Sequence, residues 1–235
     1  MTVTTSKSAY RAGVRDGLPF IAMAAPFALL FGVVAIDAGL TIAQAMGFSV
    51  LVIAGASQFA AVQMMVENAG IAFVLLAALA VNLRMAMYSA ALVPHLGPAP
   101  LWQRATVAYL LFDQTYIAAA ARYEARPGMT VQERIAYYLG VATPITPTWV
   151  GMTLVGILAG AAIPEAWALD FILPIMFLAM VAPMLRARPH WAAACVAVVL
   201  GLALSGLPSG MGLLIAAAAA MATGALVETW MKARA

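Results

Sequence analysis

Eight apolar runs divide this chain, each near the length that carries an α-helix across a bilayer. A span needs ~20 mostly apolar residues at a rise of ~1.5 Å each. The runs cover about Leu18–Ile36, Ala43–Val66, Ile71–Val93, Trp102–Ala121, Ile135–Ala161, Ala168–Leu185, Trp191–Leu207 and Met211–Val227. Of 235 residues, 65% are hydrophobic and 9% charged, whereas about a quarter of a soluble domain is charged. So few charges cannot clothe a surface that faces water, and lipid is the solvent that fits. The fold class expected is all-α: a polytopic transmembrane bundle of about eight spans, forming one domain over residues 1–235. The first run is too long for a secretory signal and lacks a clear cleavage site, so it reads as the first span.

Basic residues orient the spans, because short cytoplasmic loops collect Lys and Arg. With the N-terminus inside and strict alternation, the inner segments hold Lys7, Arg11, Arg15, Arg122, Arg126, Arg134, Arg186, Arg188, Lys232 and Arg234, ten of the twelve. Arg104 falls outside and Arg84 within a span. Both termini are therefore expected in the cytoplasm, and the protein in a bacterial inner membrane. The net charge of +3 does not indicate nucleic acid, since the cations sit in loops rather than a patch. One cysteine, Cys195, excludes an internal disulfide. No GxxxxGK[ST], HExxH or GxSxG pattern and no Cys/His cluster occurs, so neither an enzyme, a metal nor a cofactor is expected.

Two charges lie deep in apolar runs. Arg84 precedes Val93 by nine residues and Asp113 follows Trp102 by eleven, which puts them about 14 Å and 17 Å from one membrane surface. If the third and fourth spans are antiparallel, the two share a depth. A charge there costs about 2.5–3.5 kcal/mol even on lenient scales and asks for a reason. One reason is a cation and an anion offered to a zwitterion; the other is a permanent ion pair locking two helices. Tyr88, four residues after Arg84, shares its helix face, whereas Asn82 faces away.

The second run carries AGASQFAAVQ, in which Gly55 beside Ser57 marks a place where a helix can kink or break. A break would expose N–H groups and a positive helix end able to bind a carboxylate, with Ser57 and Gln58 beside it. The alternative is hydrogen-bond glue between helices. The fifth run carries ATPITPTWVG. Pro144 and Pro147 each remove a donor, which predicts a kinked or discontinuous helix, tolerated only inside protein or beside a wet cavity.

The chain resembles the AzlC-type large subunits of branched-chain amino acid exporters. The likeness runs from Arg11 to about Glu228 and rests on an ordered set of motifs. These are RAGVRDGLPF, AGASQFAAVQ, NLRMAMYSAAL, FDQTY, LDFILPIMFLAMVAPML and LPSGMGLLIAAAAA. The resemblance implies export of valine, leucine, isoleucine or methionine, and a small membrane partner of AzlD type. By motif position the family's polar core maps onto Ser57, Gln58, Asn82, Arg84 and Asp113. Met85 stands where histidine is expected in many relatives. With no nucleotide motif, the expectation is a gradient-driven carrier; the rivals are a scaffold subunit that moves nothing and a permease subunit for another small solute.

Overall fold

The computed structural model describes residues 5–160, 185, 187–207 and 211–233. Every regular element among them is a helix. They belong to two compact units, Met1–Phe59 with Leu79–Ile163, and Ala60–Ala78 with Pro164–Ala235. Among the described residues three continuous helical stretches are long and apolar enough to cross a membrane: Ser6–Asp37, Ile71–Leu96 and Val131–Gly160. The expected sixth span, Ala168–Leu185, lies outside the described residues except for its last.

The first stretch is α1 (Ser6–Gly17) and α2 (Ile21–Asp37), joined by a 3-10 turn at Leu18–Phe20. It begins at Ser6 rather than Leu18, because Thr5 caps α1 by accepting the Ser8 N–H. The fifth stretch is α8 (Val131–Gly160), opened by a reciprocal cap in which Thr130 N–H donates to Glu133 and Glu133 N–H to Thr130. These two lie side by side and point the same way. Gly13 faces Tyr137, Gly32 faces Thr153, Gly156 faces Leu29 and Gly160 faces Val33. At Gly13, Gly32 and Gly156 a Cβ would strike the backbone opposite. Glycine is what permits backbones to approach so closely.

The expected discontinuity in the fifth stretch is absent. Helix α8 runs unbroken through Pro144 and Pro147. Thr143 donates to the Leu139 carbonyl and Thr148 to that of Pro144, each at 2.7 Å. Both prolines sit in a helix braced on α1 and α2 along its length, so the lost donors do not end it.

The second stretch consists of α3 (Ile42–Leu51) and α4 (Gly55–Val66), with Val52, Ile53 and Ala54 outside either helix. Helix α3 starts from a Thr41–Gln44 capping box and descends beside α8, where Ser49 donates to Thr153 at 2.9 Å. Phe48 before the gap packs on Phe31 (centroids 6.4 Å apart). After the gap, Gly55 lies against Phe27, and Phe59 packs on both Phe27 (5.0 Å) and Phe31 (5.5 Å). The start of α4 therefore runs with α2, reversing the direction of α3.

The fourth stretch is likewise two helices, α6 (Leu101–Tyr109) and α7 (Asp113–Ala125). Helix α5 (Ile71–Leu96) precedes them. Along α5 and α7, Arg84 meets Asp113, Tyr88 meets Tyr116, and His95 meets Tyr123. The two helices thus run parallel. The antiparallel third and fourth spans expected from alternation fail for the segment that carries Asp113, because the chain has already turned back at 110–112.

In the second unit α9 (Arg188–Ala203) and α10 (Met211–Lys232) are antiparallel. Gly212 lies against Leu204, and Gly224 against Ala193 and Pro189.

Candidate functional site

The deep pair forms. Arg84 Nη2 lies 3.1 Å from Asp113 Oδ2, and neither side chain is sealed, at 23% and 31% exposed. Asp113 is the first residue of α7, so its carboxylate also faces the positive end of a helix. Tyr88 donates its hydroxyl to Asp113 Oδ1 at 3.0 Å. The Tyr88 ring stacks on Tyr116, centroids 4.1 Å apart and planes 9° from parallel. Arg84 Nε is buried and has no hydrogen-bond partner among the described residues.

The other candidates occupy different places. Asn82, about 200° around α5 from Arg84, keeps a buried Oδ1 without a hydrogen bond. Ser57 and Gln58 tend the gap between α3 and α4: Ser57 donates to the Ala54 carbonyl at 2.9 Å and Gln58 Nε2 to that of Val52 at 2.7 Å. Neither bonds to Arg84 or Asp113. Gly55 opens α4 with the rings of Phe27 and Trp149 packed where a Cβ would stand. Close beside that gap, the Gln58 Oε1 and Trp149 Nε1 atoms are buried and have no hydrogen-bond partner among the described residues. Pro144 of α8 packs on Gly17, at the joint of α1 and α2.

Several residues that hold the site together carry no sequence signal of their own. The Thr115 hydroxyl accepts the Phe112 N–H at 3.1 Å and reaches the carbonyls of Leu110 and Phe112. The Tyr138 hydroxyl, from α8, reaches the carbonyls of Val107 and Leu110. Together they satisfy the backbone that the gap before Asp113 leaves open, as a bilayer interior requires. Tyr109 donates to the Val50 carbonyl, linking the end of α6 to the end of α3. Tyr116 had one available clue, its position three residues after Asp113 on a helix.

A groove of about 280 Å³ runs between α5 and α6. It starts at Ser89 and Leu111, next to Tyr88 and Phe112, and continues past Leu92, Val107 and Leu96 to Arg104. Its wall is mostly apolar. Among the described residues no group of three or more His, Cys, Asp or Glu side chains gathers as a metal site would require.

A bundle of apolar helices with an ion pair at the end of an interrupted one defines a helical membrane protein. The chain belongs to the AzlC family, whose model matches residues 19–163. It is 27% identical over 177 residues to the inner membrane protein YgaZ of Escherichia coli, covering 71% of this chain and 69% of that protein. It is 30% identical over 199 residues to an uncharacterized membrane protein of Archaeoglobus fulgidus, covering 78% and 80% respectively. No solved structure matches.

Proposed function

We propose that the chain is the large subunit of a secondary exporter for branched-chain and other hydrophobic amino acids, in the bacterial cytoplasmic membrane. The observation that carries this reading is a cation in the middle of α5 and an anion at the start of α7, 3.1 Å apart, with an apolar groove beginning at Ser89, five residues beyond Arg84. A zwitterion with a branched side chain needs these two features together. Arg84 takes the carboxylate, Asp113 takes the ammonium or a coupling proton, and Tyr88 holds Asp113 in place. Asn82, Ser57 and Gln58 supply further polar contacts on the path. An intramembrane ionisable residue facing protein is a functional group by default, and no part of this role is enzymatic.

Membership of the AzlC family supports a second component, a small membrane subunit of AzlD type. Counterflow of labelled leucine in proteoliposomes tests both claims. Uptake against unlabelled internal leucine should require the small subunit and be competed by valine and isoleucine. No exchange with both subunits present would remove the export reading. One observation favours the rival, a scaffold that moves nothing: both Asp113 oxygens are engaged by groups of the protein itself, Arg84 and Tyr88.

A further inference from the structure

Helices α6 and α7 are each too short to cross a bilayer. At nine and thirteen residues they measure about 14 Å and 20 Å, against a hydrocarbon core of about 30 Å. Their outer ends lie together. At the start of α6, Gln103 exchanges amide hydrogen bonds with Gln132 at the start of α8. Trp102, Gln103 and Thr106 share a cleft with Ser6 and Ile135. At the other end of the hairpin, Tyr123 of α7 donates to the Arg134 carbonyl at 2.8 Å and packs on His95. Arg134 in turn donates to the His95 carbonyl at 3.3 Å. Both ends of the α6–α7 pair therefore lie where α1 and α8 begin.

We infer that α6 and α7 form a re-entrant hairpin, inserted from the face that holds the N-terminus, and that its tip gates the Arg84–Asp113 site. The gating part rests on the proposed transport role; the insertion does not. Charge supports the insertion. Arg104 was the sole cation left outside by strict alternation, and the hairpin brings it to the end that holds Lys7, Arg11, Arg15, Arg122, Arg126 and Arg134, as the positive-inside rule requires. Backbone chemistry supports it as well. Irregular chain at membrane depth survives only where protein satisfies it, and Thr115 and Tyr138 do so at residues 110–112.

The gate follows from what the tip touches. The α3–α4 gap turns back toward the end where α2 and α8 finish, so two reversals face each other from opposite ends. One direct hydrogen bond joins them, from the Tyr109 hydroxyl to the Val50 carbonyl. Ile53 and Leu111, one from each gap, are buried in the same core cluster. Parting this contact opens a way between the tips beside Asp113, while the helices around them stay fixed.

The test uses the full-length chain with Cys195→Ala, which removes the one native thiol. Arg104→Cys and Lys7→Cys are each labelled with a membrane-impermeant maleimide in right-side-out and inverted vesicles. Both should react from the same side. Reaction of the cysteine at 104 from the side opposite to that at 7 would overturn the hairpin. Ile53→Cys reports the gate. Tyr109→Phe should raise its labelling rate about fivefold, the population shift produced by losing one neutral hydrogen bond. An unchanged rate in protein that still elutes as a single species would overturn the gate. Neither readout needs a substrate, so a failure here is distinct from a failure of leucine counterflow.

Discussion

Arg84 and Asp113 meet at 3.1 Å from helices that run in the same direction. Arg84 precedes the end of α5 at Leu96 by twelve residues, and Asp113 precedes the end of α7 at Ala125 by twelve. Each is thus about 18 Å from the same end of the bundle. Equal depth, a facing helix terminus and the Tyr88 hydroxyl converge on Asp113.

Single and double neutralisation separate a binding pair from a structural one. Removing one partner of a buried pair costs about 3–5 kcal/mol in soluble proteins, since the other is left without compensation. Arg84→Met or Asp113→Leu alone should therefore reduce the yield of folded protein. The double variant should recover the yield, measured by fluorescence-detected size exclusion, and still fail to exchange leucine. Undiminished leucine export by the double variant would leave the pair a structural lock only.

Arg84→Lys retains the charge and gives up the planar fork that grips a carboxylate with two hydrogen bonds. Expression should match the parent, and the half-saturating leucine concentration should rise about tenfold, the equivalent of roughly 1.4 kcal/mol. Direct binding by calorimetry on the reconstituted complex checks it. Equal affinity would take the carboxylate away from Arg84.

Tyr88→Phe deletes one hydrogen bond to Asp113 while keeping the ring stacked on Tyr116. The loss should be about 0.5–1.5 kcal/mol in substrate affinity, with the melting temperature nearly unchanged because the stacked face remains. A large fall in melting temperature with normal affinity would mark Tyr88 as a packing residue.

Close helix contact makes a sharp stability prediction. Gly156 meets the Leu29 backbone, whereas a Cβ at Gly151 would meet nothing within 4 Å among the described residues. Gly156→Leu should destabilise by at least the 1–3 kcal/mol typical of overpacking, roughly, because backbone rather than a movable side chain stands in the way. Gly151→Leu should melt within a degree or two of the parent, about the scatter expected of a neutral surface change. Thermal unfolding in detergent compares them.

The charge pattern predicts that both termini are cytoplasmic. The hairpin takes away one crossing and the reversal between α3 and α4 takes away a second, so the parity behind that prediction is unchanged. A periplasm-active reporter fused after Ala235 should stay silent while a cytoplasmic reporter at the same point is active. The opposite pattern would require one more or one fewer crossing.

The linear sequence determined the class of protein and the depth of its charges. A chain with 9% charged residues and runs of ~20 apolar ones has one suitable solvent. The spacing of Arg84 and Asp113 within those runs put both deep, whereas their common depth, expected from antiparallel spans, comes in the structure from parallel helices. Glycine in AGASQFAAVQ likewise marked a weak point of the second stretch. The tertiary structure decided the rest. YLLFDQTY contains neither glycine nor proline, so nothing local announces the gap at 110–112. That gap persists because a hydroxyl from Tyr138, on a helix that starts eighteen residues after Asp113, reaches the carbonyls it frees. Conversely, Pro144 and Pro147 read as a kink or a break, and a helix braced on α1 and α2 continues through them without a break. Local chemistry states where a backbone can part; whether it does depends on which distant groups arrive to satisfy it.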